Sequence, residues 1–186
     1  MTETSSLANA TTIYVGYGSN MWKQQVKTRC RTAAYLGIAR LPGYRWFIAA
    51  QGGANITLGS DDDDEVWGLA YSLQPNDEAE LDVIEGVPTH FTKNMIQAQL
   101  WEPMAADGTH RADPAQPGRA VGVLVYMSHE RIATGKPRAE YVVRMNHAIS
   151  DALRSGVPLS YIENVLRKWI PEDSVAQAKA QITRIP

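Results

Sequence analysis

Ile13-Tyr14-Val15-Gly16-Tyr17-Gly18-Ser19-Asn20-Met21 is a β-branched and aromatic run that stops at a cluster of turn formers. It predicts a strand over 13–17 that empties into an irregular turn at Gly18-Ser19-Asn20. A short helix is expected over 21–26, with Asn20 as its N-cap, because its side-chain oxygen can accept from an unpaired first-turn amide. Several backbone amides then converge where the strand ends, a setting that suits an anion or a polarised carbonyl. The turn is no dinucleotide fingerprint, since Met21 stands where the third glycine of GxGxxG belongs, and it lacks the lysine of a phosphate-binding loop. Nor is Ser19 framed as a GxSxG nucleophile elbow. Taken alone, these residues suit an ordinary tight turn equally well.

Working outward, strands are expected over 33–40 and 44–50, joined through Leu41-Pro42-Gly43, with a shorter one at 55–58. Five like charges at 61–65 read as a solvated turn. Residues 66–73 alternate strictly: Trp67, Leu69, Tyr71 and Leu73 share one face, and Gly68, Ala70 and Ser72 share the other. The small face leaves room either for a ligand or for a close backbone neighbour. A helix is expected over 75–85, beginning near Asn76, with Leu81 and Ile84 on its apolar side and Gly86 closing it. Further strands at 93–101 and 120–127 flank a long loop over 102–119 with three prolines and two glycines, a lid or a variable surface. After Pro137 the spacing of Tyr141, Val142, Met145, Ile149, Ala152 and Leu153 is helical up to Gly156, and a second helix follows over about 158–169. A short strand at 181–185 completes the reading. Strands come first and long helices late, which argues α+β rather than a doubly wound sheet. Residues 1–11 read as a solvated tail and 12–186 as one domain.

Composition narrows the function. Of 186 residues 44% are hydrophobic and 20% charged, and the net charge of -2 provides no basic field for nucleic acid. Cys30 is the single cysteine, which excludes an internal disulfide and the cysteine-based zinc motifs and fits a reducing, cytoplasmic setting. It reads as a small core residue, although Lys27 and Arg29 nearby favour its thiolate. His90, His110, His129 and His147 show no metal-ligand spacing, so no metal is expected. The apolar run 121–127 is far shorter than the ~20 residues of a membrane-spanning helix.

Glu85 is the outlier. It follows Leu81 by four residues, so its carboxylate shares that residue's inward-facing side, and it stands at a helix C-terminus. Desolvation and the terminal carbonyls both favour the protonated acid, as a base working near neutral pH requires. A structural salt bridge is the competing reading.

The segments 14–21 (YVGYGSNM), 33–41 (AAYLGIARL), 65–71 (EVWGLAY), 81–88 (LDVIEGVP) and 155–161 (SGVPLSY) occur in this order. Together they resemble the γ-glutamylcyclotransferase family, whose signature is a YxxYGSN loop. The resemblance implies a small mixed β-barrel with flanking helices and a cofactor-free site. There Glu85 acts as acid and base, and a γ-glutamyl amide closes to 5-oxoproline with release of an amine. It places Tyr17, Gly18, Ser19, Asn20 and Met21 around the substrate, with the turn amides holding its carboxylate or carbonyl oxygen. Tyr126 matches a strand tyrosine whose hydroxyl orients substrate, and Phe91 lies where many members carry a tyrosine. The partner is then a small γ-glutamyl molecule, with no nucleic acid or membrane, and a homodimer is compatible. Asn20 speaks against the glutathione-specific branch, which has YGSL, while a glutathione adduct or an intermediate of secondary metabolism stays open. Readings of another class are a serine hydrolase pairing Ser19 with His90 and a catalytically silent binding module.

Overall fold

The computed structural model describes residues 11–61, 63–104 and 111–172. Five strands close a mixed barrel in the order β1 (Thr12–Gly16), β5 (Glu65–Leu73), β2 (Ala34–Pro42), β6 (Thr92–Trp101) and β7 (Arg119–Met127). Closure comes from the parallel pairing of β7 with β1 at Tyr14 and Leu124, and the other neighbours run antiparallel. The hairpin of β3 (Tyr44–Ile48) and β4 (Ala54–Leu58) stands beside the barrel as a separate two-stranded sheet. The helices are α1 (Lys23–Arg29), α2 (Pro75–Glu85), α3 (Ala139–Ser155) and α4 (Leu159–Asn164). No helix among the described residues is long and apolar enough to cross a membrane.

The alternation in β5 has a different physical cause on each face. Trp67, Leu69, Tyr71 and Leu73 are buried, and so are Gly68 and Ala70 opposite them. A Cβ on Gly68 would sit 2.5 Å from the Gly16 carbonyl oxygen, so a backbone neighbour, not a ligand, selects the small residue. The acidic stretch also divides. Asp61 and Asp63 are exposed, whereas Glu65 opens β5 and is held by Arg40 and by the Trp67 indole N–H at 2.8 Å.

Helix boundaries shift where tertiary contacts supply what local sequence does not. Asn20 lies inside a 3-10 turn, Ser19–Met21, and is no N-cap. Helix α1 starts at Lys23 without a side-chain cap from its preceding residue, and the Lys23 amide donates instead to Asp151 of α3 at 2.9 Å. The helix expected over 158–169 is two pieces, α4 and a 3-10 turn at Leu166–Lys168. Cys30 is a buried core residue, and burial pushes its thiol up to about 11. The described end of the 102–119 loop packs on the C-terminus of α3, where the Ala112 amide donates to the Ser155 carbonyl, and on Trp101 through Gln116. The expected tail, apart from Thr11, and the strand at 181–185 fall outside the described residues.

Candidate active site

A cavity of ≈ 230 Å³ opens where the β1 turn, the C-terminus of α2 and the N-terminus of α3 meet. Helix α2 ends on Glu85 because Gly86 adopts φ 66, the left-handed conformation that glycine tolerates, and returns its amide to the last turn. Leu81 anchors the helix in the core, and Glu85 projects one turn later from the same side to line the cavity, half-buried. Ile84 does not pack inward as expected: it is 46% exposed and forms part of the cavity's rim.

Asn20 is the hub of the turn. Its Nδ2 donates to the Tyr14 hydroxyl at 2.8 Å and to Glu85 Oε1 at 3.3 Å, while its Oδ1 accepts from Gln25 Nε2 at 2.8 Å and Arg29 Nη1 at 3.0 Å. Two donors on one side and two acceptors on the other fix which way the amide faces. Glu85 has no cation within 4 Å among the described residues, so the salt-bridge reading is not what the structure shows. Burial raises its carboxyl pKa above the ordinary value, against the smaller opposing pulls of the Arg29 charge, the Asn20 hydrogen bond and the Arg144 charge.

Tyr17, Gly18, Ser19, Asn20, Phe91 and Tyr126 all line the cavity with Glu85. Met21 does not; it is fully buried in the core, and its contribution is to anchor the turn. The phenols of Tyr17 and Tyr126 are engaged elsewhere: Tyr17 donates to the Tyr126 carbonyl and Tyr126 donates to Asp82 Oδ1 at 2.6 Å. Burial holds both well above the ordinary tyrosine range, with the neighbouring carboxylates adding to it, so both stay neutral hydroxyls. The turn amides are not all available either. Ser19 donates its N–H to the Tyr141 hydroxyl, Met21 to the Gly18 carbonyl and Trp22 to the Ser19 carbonyl, which narrows the expected anion cradle to Gly18 and Asn20. The Ser19 hydroxyl accepts from Gln25 at 3.0 Å and from Arg144 at 3.5 Å, and no histidine contacts it among the described residues, so the arrangement lacks a hydrolase's base.

Sequence reading missed the cavity's cations and its far wall. Arg29, Arg138, Tyr141 and Arg144 all line it. The signal was present in α3, where Tyr141 and Arg144 are three residues apart and share a helix face. Gly18 belongs to the same contact, since a Cβ there would lie 2.7 Å from the Tyr141 hydroxyl. No local pattern reveals that α3, over 120 residues downstream, closes on the β1 turn.

The family model for γ-glutamyl cyclotransferase, AIG2-like, matches residues 14–141. A human γ-glutamylcyclotransferase is 25% identical over 182 residues, covering 93% of this chain and 86% of its own length. A solved γ-glutamyl cyclotransferase structure superposes with a TM-score of 0.63 at 21% identity, over 83% of this chain and 86% of its own. YkqA from Bacillus subtilis gives 0.56 at 16% identity, over 95% of this chain and 55% of its own. These two structural likenesses speak for the fold.

Proposed function

Because this chain belongs to the γ-glutamyl cyclotransferase, AIG2-like family, we propose that it converts a small γ-glutamyl amide to 5-oxoproline and a free amine, with Glu85 as acid and base. The observation that carries this reading is a carboxylate facing a cavity with a raised pKa, no ion-pair partner among the described residues, and one oxygen held by Asn20.

The substrate contains both reacting groups. Its α-amino nitrogen attacks its own γ-carbonyl carbon, and folding the glutamyl chain toward a five-membered ring makes the attack intramolecular. Glu85 takes a proton from that nitrogen as the new C–N bond forms. The amide C–N bond then breaks, and the same carboxyl returns the proton to the departing nitrogen. A carboxyl with a raised pKa suits both halves of this shuttle. Asn20 keeps the acceptor oxygen aimed into the cavity, and its own orientation is locked by Gln25 and Arg29. Arg144 and the Gly18 amide supply the positive field for the glutamyl carboxylate. Tyr17, Tyr126 and Phe91 form a wall that limits water around the reacting nitrogen.

The test is 5-oxoproline release from a panel of γ-glutamyl dipeptides and amides. The wild type should turn over at least one of them, and a Glu85→Gln variant with a native circular dichroism spectrum should turn over none. Binding across the panel without turnover by the wild type would instead indicate a silent binding module.

A further inference from the structure

A second space, ≈ 260 Å³, adjoins the cavity and shares with it Gly53, Ala54, Ile84, Glu85, Phe91 and Arg138. Glu85 therefore borders both. The β1 turn lines only the first space, whereas Ala49, Asn55, His90 and Arg131 line only the second. A substrate with its scissile amide at Glu85 and its glutamyl head against the turn has its leaving amine in this second recess.

The chemistry of the recess is uneven. Ile84, Phe91, Ala49 and Ala54 give it apolar surface. Asn55 is fully engaged: its Nδ2 donates to the Ser128 and Arg131 carbonyls, and its Oδ1 accepts the Ser128 amide. Those same bonds pin the backbone that carries Arg131. The Arg131 side chain is half-buried, with no carboxylate within 4 Å among the described residues. Arg138 lines it as well, and its sole ion pair among the described residues is a loose, exposed one with Glu140 at 3.6 Å. Glu85 is the only carboxylate among the described residues that line it. Two guanidiniums beside an apolar wall, with no carboxylate on either of them inside the recess, match a ligand that joins a carboxylate to an apolar body.

Resting on the cyclotransferase reading, we propose that this recess is the leaving-amine subsite. It selects γ-glutamyl amides whose departing amine carries both a carboxylate, met by Arg131 and Arg138, and a large apolar or aromatic side chain, met by Ile84 and Phe91. Asn55 is a positioning residue that acts through Arg131. Gly53 lines both spaces, and open space lies where its side chain would be.

Three substrates separate the two requirements: γ-glutamyl-phenylalanine, γ-glutamyl-phenethylamide, which keeps the ring and lacks the carboxylate, and γ-glutamyl-glycine, which keeps the carboxylate and lacks the ring. The kcat/KM of the wild type should fall by about tenfold or more from the first to either of the others. In Arg131→Gln the preference for γ-glutamyl-phenylalanine over the phenethylamide should shrink toward one, and in Ile84→Ser the preference over γ-glutamyl-glycine should shrink. Equal wild-type rates on all three substrates, or an Arg131→Gln variant that keeps the full preference, overturn the subsite while leaving the cyclotransferase standing. Absence of 5-oxoproline from every substrate overturns the reading on which it rests. Because the wild-type comparison needs no variant, a misfolded substitution does not shield the proposal.

Discussion

Two stretches of α2 carry acids in opposite circumstances. In the middle of the helix Glu78 and Asp82 share the Lys93 ammonium, and Asp82 also accepts the Tyr126 hydroxyl. At its C-terminal end, three residues after Asp82, Glu85 has a neutral amide for a partner and a cavity in front of it. Their chemistry as side chains is nearly the same. The difference lies in whether a cation stands close enough to neutralise the charge, and a carboxylate held without one is the carboxylate that remains free to exchange a proton.

Removing the C-terminal acid, Glu85, should have the largest effect. Glu85→Gln should lower 5-oxoproline production by about 10²–10⁴-fold, the usual contribution of a positioned acid and base. The same variant should be more stable than the wild type at neutral pH. A carboxyl whose folded pKa is raised contributes a penalty that is absent below its ordinary titration range and complete above the raised value. Melting curves should therefore coincide at about pH 3 and separate as pH rises, with Tm gained at ~2–4 °C per kcal/mol of relieved penalty.

Asn20→Ala takes away the one hydrogen bond to Glu85 among the described residues, removes the donor to the Tyr14 hydroxyl, and leaves the Gln25 amide with Ser19 alone. A stability loss of about 1–3 kcal/mol is expected in denaturant titrations. The acidic limb of the kcat/KM profile should also move to higher pH, since that hydrogen bond favours the charged form. Arg29→Met should displace the limb in the same direction, because the Arg29 charge is the largest of the influences that lower the Glu85 pKa. A limb that moved down or stayed in place would break the electrostatic account of the site. The smallest effect belongs to the cluster in the middle of α2: Lys93→Met removes a partly exposed set of ion pairs and should cost only ~0.5 kcal/mol, read as a small drop in Tm.

Much of the barrel was legible beforehand. Strand positions followed from alternation and turn residues, and Gly86 and Gly156 marked the ends of α2 and α3 because both sites need a positive φ. The inward aim of Glu85 followed from its four-residue offset to Leu81. Asn20 was legible as a polar turn residue and illegible as a hub, since its four partners come from β1, α1 and α2. The start of α1 was misread for a related reason: its capping oxygen belongs to Asp151, distant in sequence.

Periodicity, turn chemistry and one misplaced acid were enough, from the chain alone, to define an α+β architecture and to single out Glu85, because these signals act over a few residues and are written in residue order. The surroundings of that acid were decided by tertiary structure. The approach of α3 to the β1 turn, the charges of Arg29 and Arg144, and the recess bounded by Arg131 and Phe91 all arise from segments that meet only when the barrel closes. A pKa and a binding cavity are sums over nearby space, and nearness in space is what a linear order of residues does not record.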